Sequence, residues 1–297
     1  MHGKEKEIYF GKKKKIKNVN YYRDIPCNED LFRTFFIGYN YGIIPRRTYI
    51  LGAIILKWIK DKKVKIEKRQ GKFGKEKIVI ILSDKTPKDL ENSKEMQLYD
   101  MLYEASEDGV LETKEFKFWC TNNYTIINSW FEHINTAQRN ILIKEGKIEV
   151  KNGMKKYIAT DELKQEAEEL LGLKKFLLDY TLIAERQAIE VTLFEKYLIY
   201  AQMMGIAKQV AKEFKELYPE IIEQSSFGTY EDLIFITAYT SNYVTAVDTA
   251  ISRANSYSSG GGGFSSGGRR RRLFRWWRWR RPEVSVKRKE CDLTWQI

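Results

Sequence analysis

The sequence predicts an α+β fold, mainly α with small β-hairpins: two tandem winged-helix-like units followed by a helical domain and a disordered Gly-rich tail. Three observations carry this. Apolar residues recur at helical spacing in several stretches, two of those helices are each followed by a pair of alternating strands, and residues 256–297 lose all periodicity. At 297 residues, 43% hydrophobic and 31% charged, the chain is long enough for more than one cored domain.

Residues 1–20 read as a basic arm, and "GKKKKIKNVNYYRDIP" as an extended lead-in ended by proline, with Asn28 placed to cap the first helix. In the first unit, residues 21–90, Leu51, Ile54, Ile55 and Trp58 follow i, i+3, i+4, i+7. Strands at Lys63–Lys68 and Lys77–Leu82 follow, joined by "RQGKFGKE". In the second unit, residues 91–159, Ile127, Trp130, Phe131, Ile134 and Ile141 share a helical face, and Asn152-Gly153 suits a type I′ turn between strands. "IKDKKVKIE" after Trp58 and "IKEGKIEVK" after Leu142 place a helix end and a Lys-rich turn before the first strand of each hairpin.

The helical domain, residues 160–255, opens at Thr160 or Asp161, with Leu163, Ala167, Leu170 and Leu171 along one side. A longer helix through "ERQAIEVTLFEKYLIYAQMMG" ends at Gly205, and Ile206, Val210, Phe214 and Leu217 mark the next, which stops at Pro219. Thr229–Asn255 reads as helical but less regular, in two pieces, and nothing from Ser256 onward supports folding.

Charge is uneven. Residues 1–20 carry seven Lys against two Glu and residues 269–297 eleven Lys plus Arg against three acids, so the net charge of +12 sits at the ends and the body is close to neutral. A basic face spread over a whole domain is therefore not expected. Three widely spaced cysteines without CxxC or Cys/His spacing read as reduced thiols, with no structural zinc. No apolar run approaches the roughly 20 residues of a membrane helix, and no signal peptide is legible.

No residue set announces a reaction. His133 reads as a structural residue of an amphipathic helix. Glu166, Glu168 and Glu169, with Lys164 four residues before Glu168, read as a solvated face. "SSGGGGFSSGG" is neither a P-loop nor a nucleophile elbow. The expectation is a non-enzyme without cofactors. Winged-helix units raise nucleic-acid binding as the alternative, with Lys65, Lys68, Arg69, Lys72 and Lys75 as phosphate contacts of the first wing. Against it, the candidate recognition helix from Arg47 to Ile59 is mostly apolar.

"LFEKYLIYAQMMGIAKQVAKEFKELYP" (Leu193–Pro219), "YYRDIP" (Tyr21–Pro26), "LGAIILKWIKDKKVKIE" (Leu51–Glu67) and "ELLGLKKFLLDYTLIAERQAIEV" (Glu169–Val191) resemble the C-terminal cytosolic part of YciQ-like predicted bacterial membrane proteins, domain of unknown function 2207. The resemblance covers about residues 21–268. It implies an extracytoplasmic domain and a membrane helix upstream in full members, so the chain is expected to be a truncated gene product, the product of an internal start, or a fragment whose upstream half is lost to an interruption. Lys12, Lys13, Lys14 and Lys15 then become juxtamembrane residues facing anionic lipid on the cytoplasmic side. The family transfers no activity and no catalytic residue. The expected function is a non-catalytic cytosolic binding or regulatory region, with protein partners and an anionic membrane surface as its contacts.

Family members resembling this chain tend to end in a long Gly/Ser run, which this chain leaves at Arg269. Glycine codons read one nucleotide out of frame encode only Arg, Trp or Gly, which accounts for "RRRR" and "RWWRWRR". The expectation is a frame-shifted glycine tail, and its charge is set aside in asking what the protein binds.

Overall fold

Asp30, and not Asn28, starts the first helix. In the computed structural model its carboxylate accepts hydrogen bonds from the backbone N–H groups of Phe32 (2.8 Å) and Arg33 (3.1 Å), at the head of α1 (Leu31–Asn40). Asn28 lies just upstream in a tight turn, Cys27–Glu29, whose three residues all have positive φ. Its side chain is therefore not the one that satisfies the orphan amides of the first helical turn. The structure describes residues 8–9, 16, 19–70, 76–82, 90, 94–151, 156–179 and 191–259. They belong to one compact unit, Met1–Ser259; the second unit, Gly260–Ile297, holds the Gly/Ser and Arg/Trp tail and lies outside the described residues.

The chain is mainly helical with small sheets. After α1 come α2 (Tyr49–Lys60), β2 (Val64–Gln70), β3 (Glu76–Leu82) and α3 (Lys94–Ser106). Then follow β4 (Val110–Glu112), α4 (Thr113–Asn122), α5 (Tyr124–Lys144), β5 (Ile148–Lys151) and β6 (Lys156–Ala159). Four shorter helices and one long one complete it: α6 (Asp161–Leu178), α7 (Val191–Met204), α8 (Ala207–Leu217), α9 (Pro219–Gln224) and α10 (Tyr230–Ser259). One sheet has the order β2-β3-β4, all antiparallel, with Ile80 opposite Leu111. The other has the order β1-β6-β5, where β1 (Ile8–Tyr9) runs parallel to β6 and β5 antiparallel to it. Strand β4 thus leaves its own stretch of sequence to complete the sheet of the preceding hairpin.

The core is continuous from Cys27 to Ala250. At its centre is α2, where Leu51, Ile54, Ile55 and Trp58 are all buried, as their spacing predicts, but so are Ile50, Ala53, Leu56 and Ile59. Both α7 and α10 pack against it, so it has little solvent face. The Trp58 indole N–H donates to Glu95 Oε2 at 2.8 Å, giving the buried polar atom its partner.

One continuous helix replaces the expected two pieces over Thr229–Asn255: α10 has 30 residues and runs to Ser259, past the expected end of folding at Ser256. Its buried positions include Leu233, Ile236, Thr237, Tyr239, Thr240, Tyr243, Val247 and Ala250, at helical spacing. The pattern is masked in the sequence because several of them carry hydroxyls. Those hydroxyls are satisfied inside: Tyr239 donates to the Ile78 carbonyl at 2.8 Å and Thr240 to the Thr237 carbonyl at 3.1 Å. Gly172 of α6 has a different task, since a Cβ there would stand 2.6 Å from the Asn20 carbonyl oxygen, and only hydrogen lets the incoming chain lie against the helix.

Candidate interaction surfaces

Helix α5 is half-covered along its 21 residues. Its inner side is Ile127, Trp130, Phe131, Ile134, Gln138 and Leu142, all buried. Ile141, expected on that side, is exposed, because Leu142 takes the inward position one residue later. Arg47 pins one flank, with Nη1 3.1 Å from Glu132 Oε1, Nη2 donating to Asn128 Oδ1 at 2.6 Å and the guanidinium over the Phe131 ring. Outward, at steps of four, four, three and four, stand Thr125, Ser129, His133, Thr136 and Asn140, all exposed and edged by Ile126 and Ile141. His133 is thus a surface residue and not part of a core face. Among the exposed positions of α5 only Lys144 carries a fixed charge. Solvated helix faces are ordinarily charged, and interface centres are depleted in charge.

Beneath the other end of α5 lies a buried ionic network. Arg33 Nε and Nη2 donate to the two oxygens of Glu166 at 2.7 and 2.6 Å, and Nη1 donates to Glu145 at 2.8 Å. Lys147 also bonds to Glu166. Glu166 is only 9% exposed, which corrects its reading as part of a solvated face; the pair Lys164–Glu168, at 3.3 Å, is indeed on the surface. Burial works to raise the Glu166 carboxyl, but the hydrogen bonds from Arg33 and Lys147 outweigh it and hold the group below its ordinary value. The network joins α1, the end of α5 and α6, so it reads as a structural clasp. The sequence hides it because Arg33 and Glu166 are 133 residues apart. Its one legible sign is Arg33 itself, a lone cation in the apolar run "LFRTFFIG".

That clasp also closes onto a part of the chain that a family model matches. Residues 149–214 match the family model described as "Predicted membrane protein (DUF2207) C-terminal domain". This DUF2207 match takes in β6, α6, α7 and most of α8, and it agrees with the family that the sequence resembles. Glu166 lies within the DUF2207 match and Arg33 outside it. No curated protein and no solved structure matches the chain.

The residues expected to contact phosphates divide. Lys65, Lys68 and Arg69 are exposed along β2, where Lys68 Nζ lies 4.5 Å above the Phe235 ring and Arg69 pairs with Glu67 at 3.2 Å. Lys72 and Lys75, and the arm residues Lys12, Lys13, Lys14 and Lys15, lie outside the described residues. No helix among the described residues is long and apolar enough to cross a membrane, and none of their His, Cys, Asp and Glu side chains form a group of three that could hold a metal ion. Burial pushes the thiols of Cys27 and Cys120 up to about 12, far from the thiolate form that reacts.

A cleft between α1, α2 and α7 has a volume of about 300 Å³ and is bordered by Glu29, Lys57, Glu95 and Lys196. Its charges pair across it, Lys57 with Glu95 at 2.5 Å and Lys196 with Glu29 at 2.7 Å, so it offers a ligand little that is unspent. A larger groove of about 450 Å³ separates the end of α3 from α4.

Proposed function

We propose that this chain is a non-catalytic binding and regulatory region on the cytoplasmic face of a bacterial membrane, working through protein contacts made by α5. The observation that carries the proposal is the outward face of that helix: five polar residues in register, none of them Lys, Arg, Asp or Glu, edged by two exposed isoleucines. Such a face loses little on desolvation, which favours a protein partner over water. The DUF2207 match supports the membrane setting, and the Lys-rich arm suits an anionic cytoplasmic leaflet.

The winged-helix reading belongs to the same proposal. The order α3, β4, α4, α5, β5, β6 follows the helix and strand order of such a unit, with α5 in the reader's position. The nucleic-acid alternative is weaker on two counts. In the first segment the expected reader, α2, is buried against α7 and α10. In the second, the α5 face has a single lysine with which to meet phosphates.

Site-specific photo-crosslinking in cells tests the proposal. A photoreactive residue at Thr136 is expected to give a discrete protein adduct that Ile126→Glu with Ile141→Glu abolishes, while the same probe at Lys212 on α8 gives none. A folded protein with no adduct from Thr136 would overturn it, as would adducts to nucleic acid instead.

A further inference from the structure

We infer that the groove between α3 and α4 is a docking site for a lysine- or arginine-bearing segment of a partner polypeptide. It goes beyond the α5 face and rests on different residues. The groove, about 450 Å³, is lined by Glu104 and Glu107 at the end of α3 and by Glu115, Phe118, Trp119 and Asn122 of α4. A volume of this size falls in the ordinary range for ligand clefts.

Four features give the occupant its chemistry. Glu104 and Glu107 are exposed, and neither carboxylate makes a hydrogen bond or ion pair among the described residues, so two negative charges stand free at the rim. Lys114, the groove's one cation, is already drawn to Glu112 at 3.0 Å. Phe118 is 71% exposed, more than any other large apolar residue described, and its ring is available to an aliphatic stem or a cation. Trp119 is only 6% exposed, and its buried indole N–H has no acceptor among the described residues.

The unpaired indole is the observation that turns an acidic edge into a site. A buried donor without a partner is costly, and an arriving acceptor relieves it. A peptide carbonyl supplies that acceptor, while the same peptide's ammonium or guanidinium group meets Glu104 and Glu107 and its methylenes cover Phe118. A nucleic acid would be repelled by the carboxylates. A free polyamine would satisfy the charges but has no carbonyl for Trp119. The class that answers every feature is a cationic peptide.

Titration calorimetry on the full chain at low salt tests this, with an acetylated and amidated peptide of sequence GKKKKIK as the probe. The expected result is saturable binding, weakened at least tenfold by Glu104→Lys with Glu107→Lys and severalfold by Phe118→Ala, with circular-dichroism melts unchanged for these surface substitutions. Glu220→Lys with Glu223→Lys, on α9, is expected to leave binding as it was. In nitrogen-15 spectra one indole N–H resonance, identified by its loss in Trp119→Phe, is expected to shift on binding. The inference is overturned if the peptide does not bind, if reversal at Glu104 and Glu107 leaves affinity unchanged, or if spermidine binds as tightly as the peptide and leaves that indole resonance in place. None of these outcomes depends on the α5 crosslink.

Discussion

Helices α2 and α5 are followed by nearly the same words, a helix end and a Lys-rich turn running into a strand, yet they end in opposite surroundings. The first is enclosed by α7 and α10 and buries both its expected face and much of the opposite one. The second buries Ile127, Trp130, Phe131 and Ile134 and leaves a polar stripe open. Local sequence made both of them helices, and what was laid over them afterwards made one a core and the other a surface. A helix that is apolar all round needs neighbours on every side, whereas one with a polar stripe does not.

The comparison breaks most visibly if a charge is placed in the middle of each helix. Ile54→Asp in α2 strands a carboxylate without a partner at a fully buried position. The expected cost exceeds roughly 4 kcal/mol, enough to abolish a cooperative thermal transition in circular dichroism. A stable, cooperatively melting Ile54→Asp protein would show that α2 is not the enclosed centre.

Next in size is the clasp that holds the end of α5 down. Arg33→Ala leaves Glu166 buried beside Lys147 alone, and the expected loss is about 3–5 kcal/mol in urea unfolding at neutral pH. Glu166→Gln tests the same clasp through its pH dependence. Because Arg33 and Lys147 hold the folded-state carboxyl below its ordinary value, the stability it contributes is complete above the unfolded-state value, roughly 4.3, and is lost as pH falls through the lower folded value. The wild-type urea midpoint should therefore fall more steeply below about pH 4 than that of Glu166→Gln. Parallel curves would show that the pair does not set the acid limb.

The smallest effect belongs to the open face. Thr136→Lys, in the middle of the α5 stripe, is expected to change stability by no more than about 0.5 kcal/mol in the same unfolding experiment. A loss several times larger would mean that the stripe is already covered within the folded chain.

Much of this was readable from the residues. Leu163, Ala167 and Leu170 are buried as their spacing requires, and both hairpins stand where alternation placed them. The misreadings share a cause. Glu166 looked solvated and Ile141 looked buried because periodicity assigns a face, while only the neighbours of that face decide whether it meets water. The length of α10 was hidden by its hydroxyls, whose acceptors, the Ile78 and Leu111 carbonyls, lie more than a hundred residues away in sequence.

The sequence by itself determined the helices, the hairpins, the neutral body between charged ends and the resemblance to DUF2207 that the family model matches over residues 149–214, because periodicity, turn chemistry and charge are properties of short stretches. Only the tertiary structure decided that β4 completes the preceding hairpin's sheet, that Arg33 finds Glu166, and that Trp119 lines a groove with its indole N–H unpaired among the described residues. Those outcomes depend on which distant segments pack together, and burial, once imposed, changes what each polar group needs.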